Sequence, residues 1–300
     1  MTFDSPYKTE YLQPVFDEFV LSPFGSHERT PGWEKEVLQK LPDYSYHSNA
    51  ILKHGQADFR TGHNELTPSD KVLLYCYYYM QMHTVSGYHV FDIVQRWVRR
   101  ANRCLVSDGL FIDIGCGPLT SGLSLAWCYA NVPGVERRTD RPLVSYVGID
   151  NAPEMLRKAS EIAKSNLFDQ NSHFHFAPSF NDTADIDPII SHIQNRLSQE
   201  SHFLVFNFSY AIASSSVSLK ELFDFIRKVM FSFPSVPAIL LVQNPQDHPS
   251  IDKWRELRQA LTSFRVAMNN RETIWFSDSV SKSRPDPSRI RLHYEMLVKA

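Results

Sequence analysis

Leu110 to Gly122 reads LFIDIGCGPLTSG, and Tyr146 to Asp150 reads YVGID. An apolar run carrying one acid, Asp113, leads directly into Gly115 and Gly117, and a second apolar run stops at a carboxylate, Asp150. The pattern predicts two buried strands, the first turning through a glycine loop into a helix. Glycines let the backbone turn sharply and come close to a ligand, and an acid ending the neighbouring strand is placed to accept both hydroxyls of a ribose. This geometry suits a nucleoside, and Cys116 inside the loop reads as a small residue beside it.

Two common nucleotide loops do not fit. A dinucleotide fingerprint needs G-x-G-x-x-G, and the third glycine position counted from Gly115 is Thr120. A phosphate-cradling P-loop ends in Gly-Lys-Ser/Thr, and this loop holds no lysine. The paired motifs instead resemble the class I S-adenosylmethionine-dependent methyltransferase superfamily, whose pattern has an acid two positions before the first glycine, where Asp113 stands. The chain departs from it at Leu119, where that family often has a third glycine; Gly122 is expected to compensate by admitting close helix packing. Asp150 follows the glycines at more than the usual spacing of about 20 residues. The excess falls in the polar, proline-bounded stretch NVPGVERRTDRP at 131–142, read as an inserted surface loop.

The resemblance covers residues 109–300 and implies a Rossmann-like α/β fold. Its sheet would be mainly parallel and seven-stranded, with helices on both faces and a late hairpin at one edge. It implies S-adenosylmethionine as cofactor, Asp113 organising the loop or approaching the methionine end, and Asp150 with Asn151 at the ribose. Residues 1–108 lie outside it and are expected to form a mostly helical N-terminal cap over the substrate.

Strands are expected at 110–114, 144–149, 173–176, 203–208 and 238–243, with helices at 120–130, 153–166, 219–231 and 251–262. Further strands are expected at 264–268, 273–276 and 289–298. In the cap, Thr67-Pro68-Ser69-Asp70 is a helix-start signature opening a helix to about Arg103, interrupted near Ser86-Gly87. Its segment YCYYYM sets Tyr75, Tyr78, Tyr79 and Met82 on one face. Such a face commonly packs on a core; the sharper reading makes it a wall of the substrate pocket.

Composition narrows the partners. A 300-residue chain with 43% hydrophobic residues builds a substantial core, and a formal net charge of −2 argues against gripping nucleic acid by bulk electrostatics. The local basic clusters, Arg96, Arg99, Arg100 and Arg103, and Arg284, Arg289 and Arg291, read as solvated faces. Cys76, Cys104, Cys116 and Cys128 form no Cys-x-x-Cys pair, and the twelve histidines show no ligand spacing, so no metal is expected. With no apolar run of membrane-spanning length, a cytoplasmic protein without a membrane partner is expected.

Strand carboxyl ends are where open parallel sheets place ligands. After the third strand, Ser179 and Phe180 are candidates for the cofactor, Phe180 by stacking on adenine and Asn181 or Asp182 by hydrogen bonding; asparagine, aspartate and proline are equally ordinary turn formers. The fourth strand ends in Asn207-Phe208-Ser209-Tyr210, similar to a degenerate Asn-Pro-Pro-Tyr motif of amino-group methyltransferases, both prolines missing. The motif makes Asn207 and Tyr210 the candidate catalytic residues, with Asn207 also beside the cofactor; the alternative has Asn207 capping a turn and Tyr210 buried. Candidates for proton removal are His83, His89 and Tyr210, with Asn244-Pro245 and His248 at the same edge. The combined reading is methyl transfer to a small or narrow acceptor, with nitrogen as the atom the motif points to. A nucleic-acid base or a protein side chain is the alternative acceptor. A catalytically inactive cofactor-binding scaffold or partner subunit is the second reading. A nucleic-acid methyltransferase is the third, and requires the two arginine clusters to converge on the pocket mouth.

Overall fold

The computed structural model describes residues 5–41, 43–132, 141–197, 202–213, 217–246 and 250–299. Most of the expected insertion, residues 133–140, and His248 lie outside the described residues. Strands β1 (Gly109–Ile114), β2 (Ser145–Ile149), β3 (His173–Ala177), β4 (Phe203–Ser209), β5 (Ala238–Pro245), β6 (Arg265–Phe276) and β7 (Ser288–Lys299) form one sheet in the order β3-β2-β1-β4-β5-β7-β6. The first five run parallel, and β7 is antiparallel to both its neighbours. The sheet is thus mixed rather than mainly parallel, the β6–β7 hairpin closing one edge as the resemblance implied. Residues 265–268 and 273–276 belong to a single strand, β6, which starts one residue after the expected 264 and whose ladder is irregular between Val266 and Met268.

Strands β1, β2 and β4 are continuous apolar runs because both of their faces are covered. On one face pack the helices α1 (Pro68–Tyr75), α2 (Gln81–Val98), α3 (Thr120–Ala130) and α4 (Pro153–Ala163). On the other pack α5 (Thr183–Leu197), α6 (Leu219–Ser232) and α7 (Ser250–Ala260). The sequence reading missed α5, whose polar first turn and internal Pro188 mask its buried stripe Ile186, Ile189 and Ile193.

The N-terminal region is built into the first of these layers. Leu12, Phe16, Trp33, Phe91 and Val94 share one apolar core with Phe111, Val205 and Met296 of the sheet. The backbone of Tyr7 joins the outer edge of β6, its N–H donating to the Trp275 carbonyl (2.8 Å) and its carbonyl accepting from Ser277 (3.0 Å). Helix α1 starts where the sequence placed it, with Thr67 and Asp70 forming a reciprocal capping box and Pro68 in the first turn.

The break expected near Ser86-Gly87 is absent. The helix runs through both residues, and its irregularity is a π-helical turn at Cys76–Met80, within the tyrosine run. Gly87 serves packing: a Cβ there would stand 2.4 Å from the Ser124 hydroxyl on α3. That hydroxyl donates to the Thr84 carbonyl (2.9 Å), tying α2 to α3. Gly87→Ala gains about 1 kcal/mol of helix propensity but overpacks this contact, at a cost of about 1–3 kcal/mol. Urea melts should therefore show Gly87→Ala no more stable than the parent, and Gly87→Ala/Ser124→Ala more stable than Gly87→Ala. A Gly87→Ala variant clearly more stable than the parent would remove this contact as the reason for glycine; the Ser124 Cβ, 3.0 Å from the same point, limits what the double variant recovers.

Candidate active site

The glycine loop leaves β1 beneath the end of β2. The N–H groups of Gly115 (2.8 Å) and Cys116 (3.1 Å) both donate to the Ile149 carbonyl. Gly115 and Gly117 hold φ of +72° and +52°, the left-handed region that favours glycine. A Cβ on Gly115 would lie 2.8 Å from the Ala211 methyl, whereas one on Gly117 would meet nothing within 4 Å, so the loop faces open space at Gly117. Leu119 also stands in the left-handed region, at φ +68°, as the residue capping α3. Its side chain lies where a Cβ on Gly122 would stand, 2.6 Å from Leu119 Cγ, so Gly122 accommodates the leucine that replaces the family glycine.

Asp150 ends β2 and organises this loop. One carboxylate oxygen accepts from the Gly117 N–H (3.0 Å) and the other from the Ala152 N–H (2.9 Å) at the start of α4. Burial raises its pKa, opposed by those two bonds. Each oxygen retains a lone pair, and the side chain is only partly covered. Asn151 beside it is exposed.

Asp113 is fully buried below the loop. It accepts from the Tyr146 hydroxyl on one oxygen and from Asn207 Nδ2 (2.6 Å) on the other. Burial lifts its pKa to about 6 against these hydrogen bonds and that of Ser121, and the Asp150 charge adds to the rise. Asp113 is therefore held by Tyr146, Asn207 and Ser121 inside the sheet and does not reach the surface of the loop. Cys116 is likewise interior, its thiol against the position a Gly148 Cβ would take, 3.0 Å away.

The expected pairing of Asn207 with Tyr210 is not formed. Asn207 lies directly across the β1–β4 ladder from Asp113, fully buried, and its Nδ2 is shared between Asp113 and Ser121 Oγ (3.1 Å). The β1–β4 ladder ends at this pair while β4 runs on to Ser209 beside β5, and the Asn207 amide is engaged by Asp113 and Ser121 within the sheet. Asn207→Ala strips a buried carboxylate of a donor, a loss on the order of 1–3 kcal/mol. Chemical denaturation should report that loss, and a variant as stable as the parent would contradict this position.

Tyr210 does reach the edge. It adopts φ +61°, a strained conformation for an aromatic residue, while its N–H donates to the Gln243 carbonyl (2.9 Å). Its ring stacks on His83 (centroids 4.2 Å, 21°), and its hydroxyl donates to Ser86 (3.2 Å). Burial pushes the Tyr210 phenol up to about 12. Tyr75, Tyr79 and His83 recur at i, i+4 and i+8 and form one stripe: Tyr75 stacks on Tyr79 (5.8 Å), and its hydroxyl is 2.7 Å from His83 Nδ1. Asp150 and Tyr210 both act on the Tyr75 hydroxyl, which places the aromatic stripe beside the glycine loop. Over it lies a turn with three consecutive left-handed residues, Lys53, His54 and Gly55, the last packed against the Tyr75, Tyr79 and His83 rings. The sequence reading took Tyr75 and Tyr79 as an aromatic face and His83 as one of three proton acceptors; the eight-residue spacing was the signal that joins them.

The remaining candidates go elsewhere. His89 has both ring nitrogens engaged, with the Tyr7 hydroxyl (2.8 Å) and Glu272 (3.1 Å). Ser179 accepts from the Asn181 N–H in a local turn, Asp182 accepts from the Asp185 N–H at the start of α5, and Phe180 leans on Phe225 of α6. Asn244 is fully buried.

His83 is buried and neutral, its pKa pulled down to about 3 by burial and by the Arg284 charge. A base whose folded pKa lies below its unfolded value of 6.5 adds stability above pH 6.5, and that stability is lost as pH falls toward 3. Stability should therefore drop across that window, and His83→Phe should flatten the drop. An unchanged acid limb would place the loss on other groups.

No family model and no curated protein matches the chain. Among solved structures it is similar to the magnesium protoporphyrin IX methyltransferase of Synechocystis PCC 6803 with bound SAM, at 13% identity over 74% of this chain and 85% of that one (TM-score 0.39). A SAM-dependent methyltransferase from Anabaena variabilis ATCC 29413 matches at 9% identity over 80% and 98% (TM-score 0.41). The plantazolicin methyltransferase BpumL in complex with SAH matches at 11% identity over 88% and 99% (TM-score 0.41). At such identities and scores, a functional reading rests on this chain's own residues.

Proposed function

We propose that the chain is an S-adenosylmethionine-dependent methyltransferase acting on a small acceptor enclosed by the Tyr75–Tyr79–His83–Tyr210 cluster. The observation that carries this reading is the loop itself. Gly117 opens onto free space, its N–H fixes Asp150, and Asp150 keeps lone pairs at the end of β2. A ribose diol needs such a carboxylate, and a nucleoside lying on a loop needs a backbone without a side chain in the way. The residues present fit the cofactor.

When bound, the cofactor supplies a methyl group on a positively charged sulfur, so little acid–base machinery is needed. The chain's share is to fix the acceptor in line and to take up a proton where one is released. His83 serves the first task, because a group whose pKa is pulled down to about 3 takes up a proton poorly near neutral pH. It is neutral throughout the physiological range, and its Nε2 has no partner among the described residues. Its Nδ1 shares a hydrogen bond with the Tyr75 hydroxyl, and stacking on Tyr210 fixes the ring plane. Asn207 has a separate role in this reading, holding Asp113, which leaves the acceptor atom to be set by His83 and its aromatic neighbours.

The second reading, a binding scaffold without transfer, draws support from Asn207, whose amide is engaged by Asp113 and Ser121. The nucleic-acid reading needs the two arginine clusters together, and Arg99, Arg100 and Arg103 precede β1 at its amino end while Arg284 stands beside Tyr44 and Tyr79.

Calorimetry with S-adenosylhomocysteine and NAD tests the cofactor. The sulfur nucleoside should bind more tightly, and Asp150→Ala should weaken it by about 1–3 kcal/mol, the scale of lost hydrogen bonds to a charged group. NAD binding more tightly would overturn the proposal. With labelled S-adenosylmethionine and cell-extract fractions, His83→Gln should slow label transfer while S-adenosylhomocysteine affinity stays within a few-fold. Cofactor binding without transfer to any fraction would favour the scaffold.

A further inference from the structure

The β6–β7 connection, residues 277–287, is fastened to the N-terminal helices. The side chain of Gln81 donates to the Ser277 carbonyl (3.1 Å) and to Ser279 Oγ (3.0 Å), and accepts from the Val280 N–H (3.3 Å). Tyr77 donates to the Ser281 carbonyl (3.3 Å), and Asp278 caps the turn by accepting from both the N–H and the hydroxyl of Ser281. This strap lays the guanidinium of Arg284 over two rings of the cap, 4.9 Å from the centre of Tyr44 and 5.5 Å from that of Tyr79. One of its N–H groups donates to the Tyr44 hydroxyl (2.8 Å). The two phenols are themselves held, Tyr44 donating to Tyr79 (3.5 Å) and Tyr79 sharing a hydrogen bond with Ser48 (2.6 Å).

A guanidinium has five N–H donors and always carries its charge. Among the described residues no carboxylate pairs with Arg284, and one hydrogen bond to a phenol accounts for a single donor. The planar group is nonetheless held between ring faces, so the ordering that an anion would otherwise impose on a free arginine is already in place. Its charge reaches His83. The cation, the phenols and the imidazole thus form one chain of contacts that runs from Arg284 through Tyr79 and His83 to Tyr210.

We infer that Arg284 is the recognition residue for an oxyanion on the acceptor, and that the acceptor is a small aromatic molecule carrying a carboxylate or phosphate. The anion lies in the plane of the guanidinium, where two parallel N–H groups match its oxygens. The aromatic body lies along Tyr79 and His83, which turns its far end toward Tyr210. The inference rests on the proposed function for the direction of transfer, but anion binding at Arg284 stands apart from it.

The test uses the full chain and three probes of similar shape, benzoate, phenyl phosphate and benzamide, titrated by calorimetry with and without S-adenosylhomocysteine. Benzoate or phenyl phosphate should bind at least tenfold more tightly than benzamide, and whichever binds better identifies the anion. Arg284→Gln should weaken the preferred probe roughly tenfold or more, the loss of a charge-assisted pair, and Arg284→Lys should recover part of it. Neither substitution should change S-adenosylhomocysteine affinity. Benzamide binding equally well, an unaltered anion affinity in Arg284→Gln, or no binding of any probe would overturn the inference. Failure of S-adenosylhomocysteine alone, with anion binding intact, would instead count against the cofactor reading.

Discussion

The Asp113 carboxylate is the constraint on which the site depends. It lies in the central strand with no exposure, between Tyr146 of β2 and Asn207 of β4, and Asn207 extends the contact to Ser121 of α3. A buried charge without partners is prohibitively expensive, and hydrogen bonds to a charged group each contribute on the order of 1.5–3 kcal/mol. The three strands and α3 are therefore locked in register by the requirement to satisfy one acid. The glycine loop springs from that locked point, so its position relative to the end of β2 is set before any ligand arrives. Asp150 completes the arrangement by holding Gly117 from above.

Much of the fold of residues 109–300 was legible from the sequence because its signals are local. Apolar runs of strand length, a glycine pair and a strand-ending acid need only short-range chemistry to be read, and α3 begins and ends where the pattern placed it. What escaped depends on partners distant in the chain. Gly87 looked like a helix breaker because glycine weakens helices locally, yet its use is the approach of Ser124, which no local rule reveals. Asn207 looked like an acceptor-orienting residue because its four-residue context resembles one. Its true neighbour, Asp113, lies 94 residues earlier, and only the strand register brings the two together. Gly122 is expected to admit close helix packing, but the space it leaves is taken by the Leu119 side chain of its own turn.

The cap shows the same division between local and distant information. An aromatic face was visible at Tyr75, Tyr78 and Tyr79, but the π-helical turn through Cys76–Met80 determines which rings share a side. Tyr75 and Tyr79 turn toward His83, while Tyr78 packs on His47 (5.3 Å). Irregular helix turns and left-handed non-glycine residues are kept where the surrounding packing over-determines them. Here two such features, the π-turn and the Lys53–Gly55 turn, meet over the same imidazole.

The charges of the site are arranged unequally. On the loop side, Asp113 and Asp150 are both buried enough to raise their pKa, and Asp150 adds to the rise at Asp113, the mark of two acids close enough to repel. On the cap side, Arg284 depresses His83 further than burial alone. A ligand that is cationic near the carboxylates and anionic near the guanidinium relieves both strains at once. On the proposed reading the cofactor brings the positive sulfur and the acceptor brings the negative group. Binding then draws the two reactants from opposite ends toward the Tyr210–His83 stack, and the attraction between their charges is spent on alignment rather than on holding either one alone.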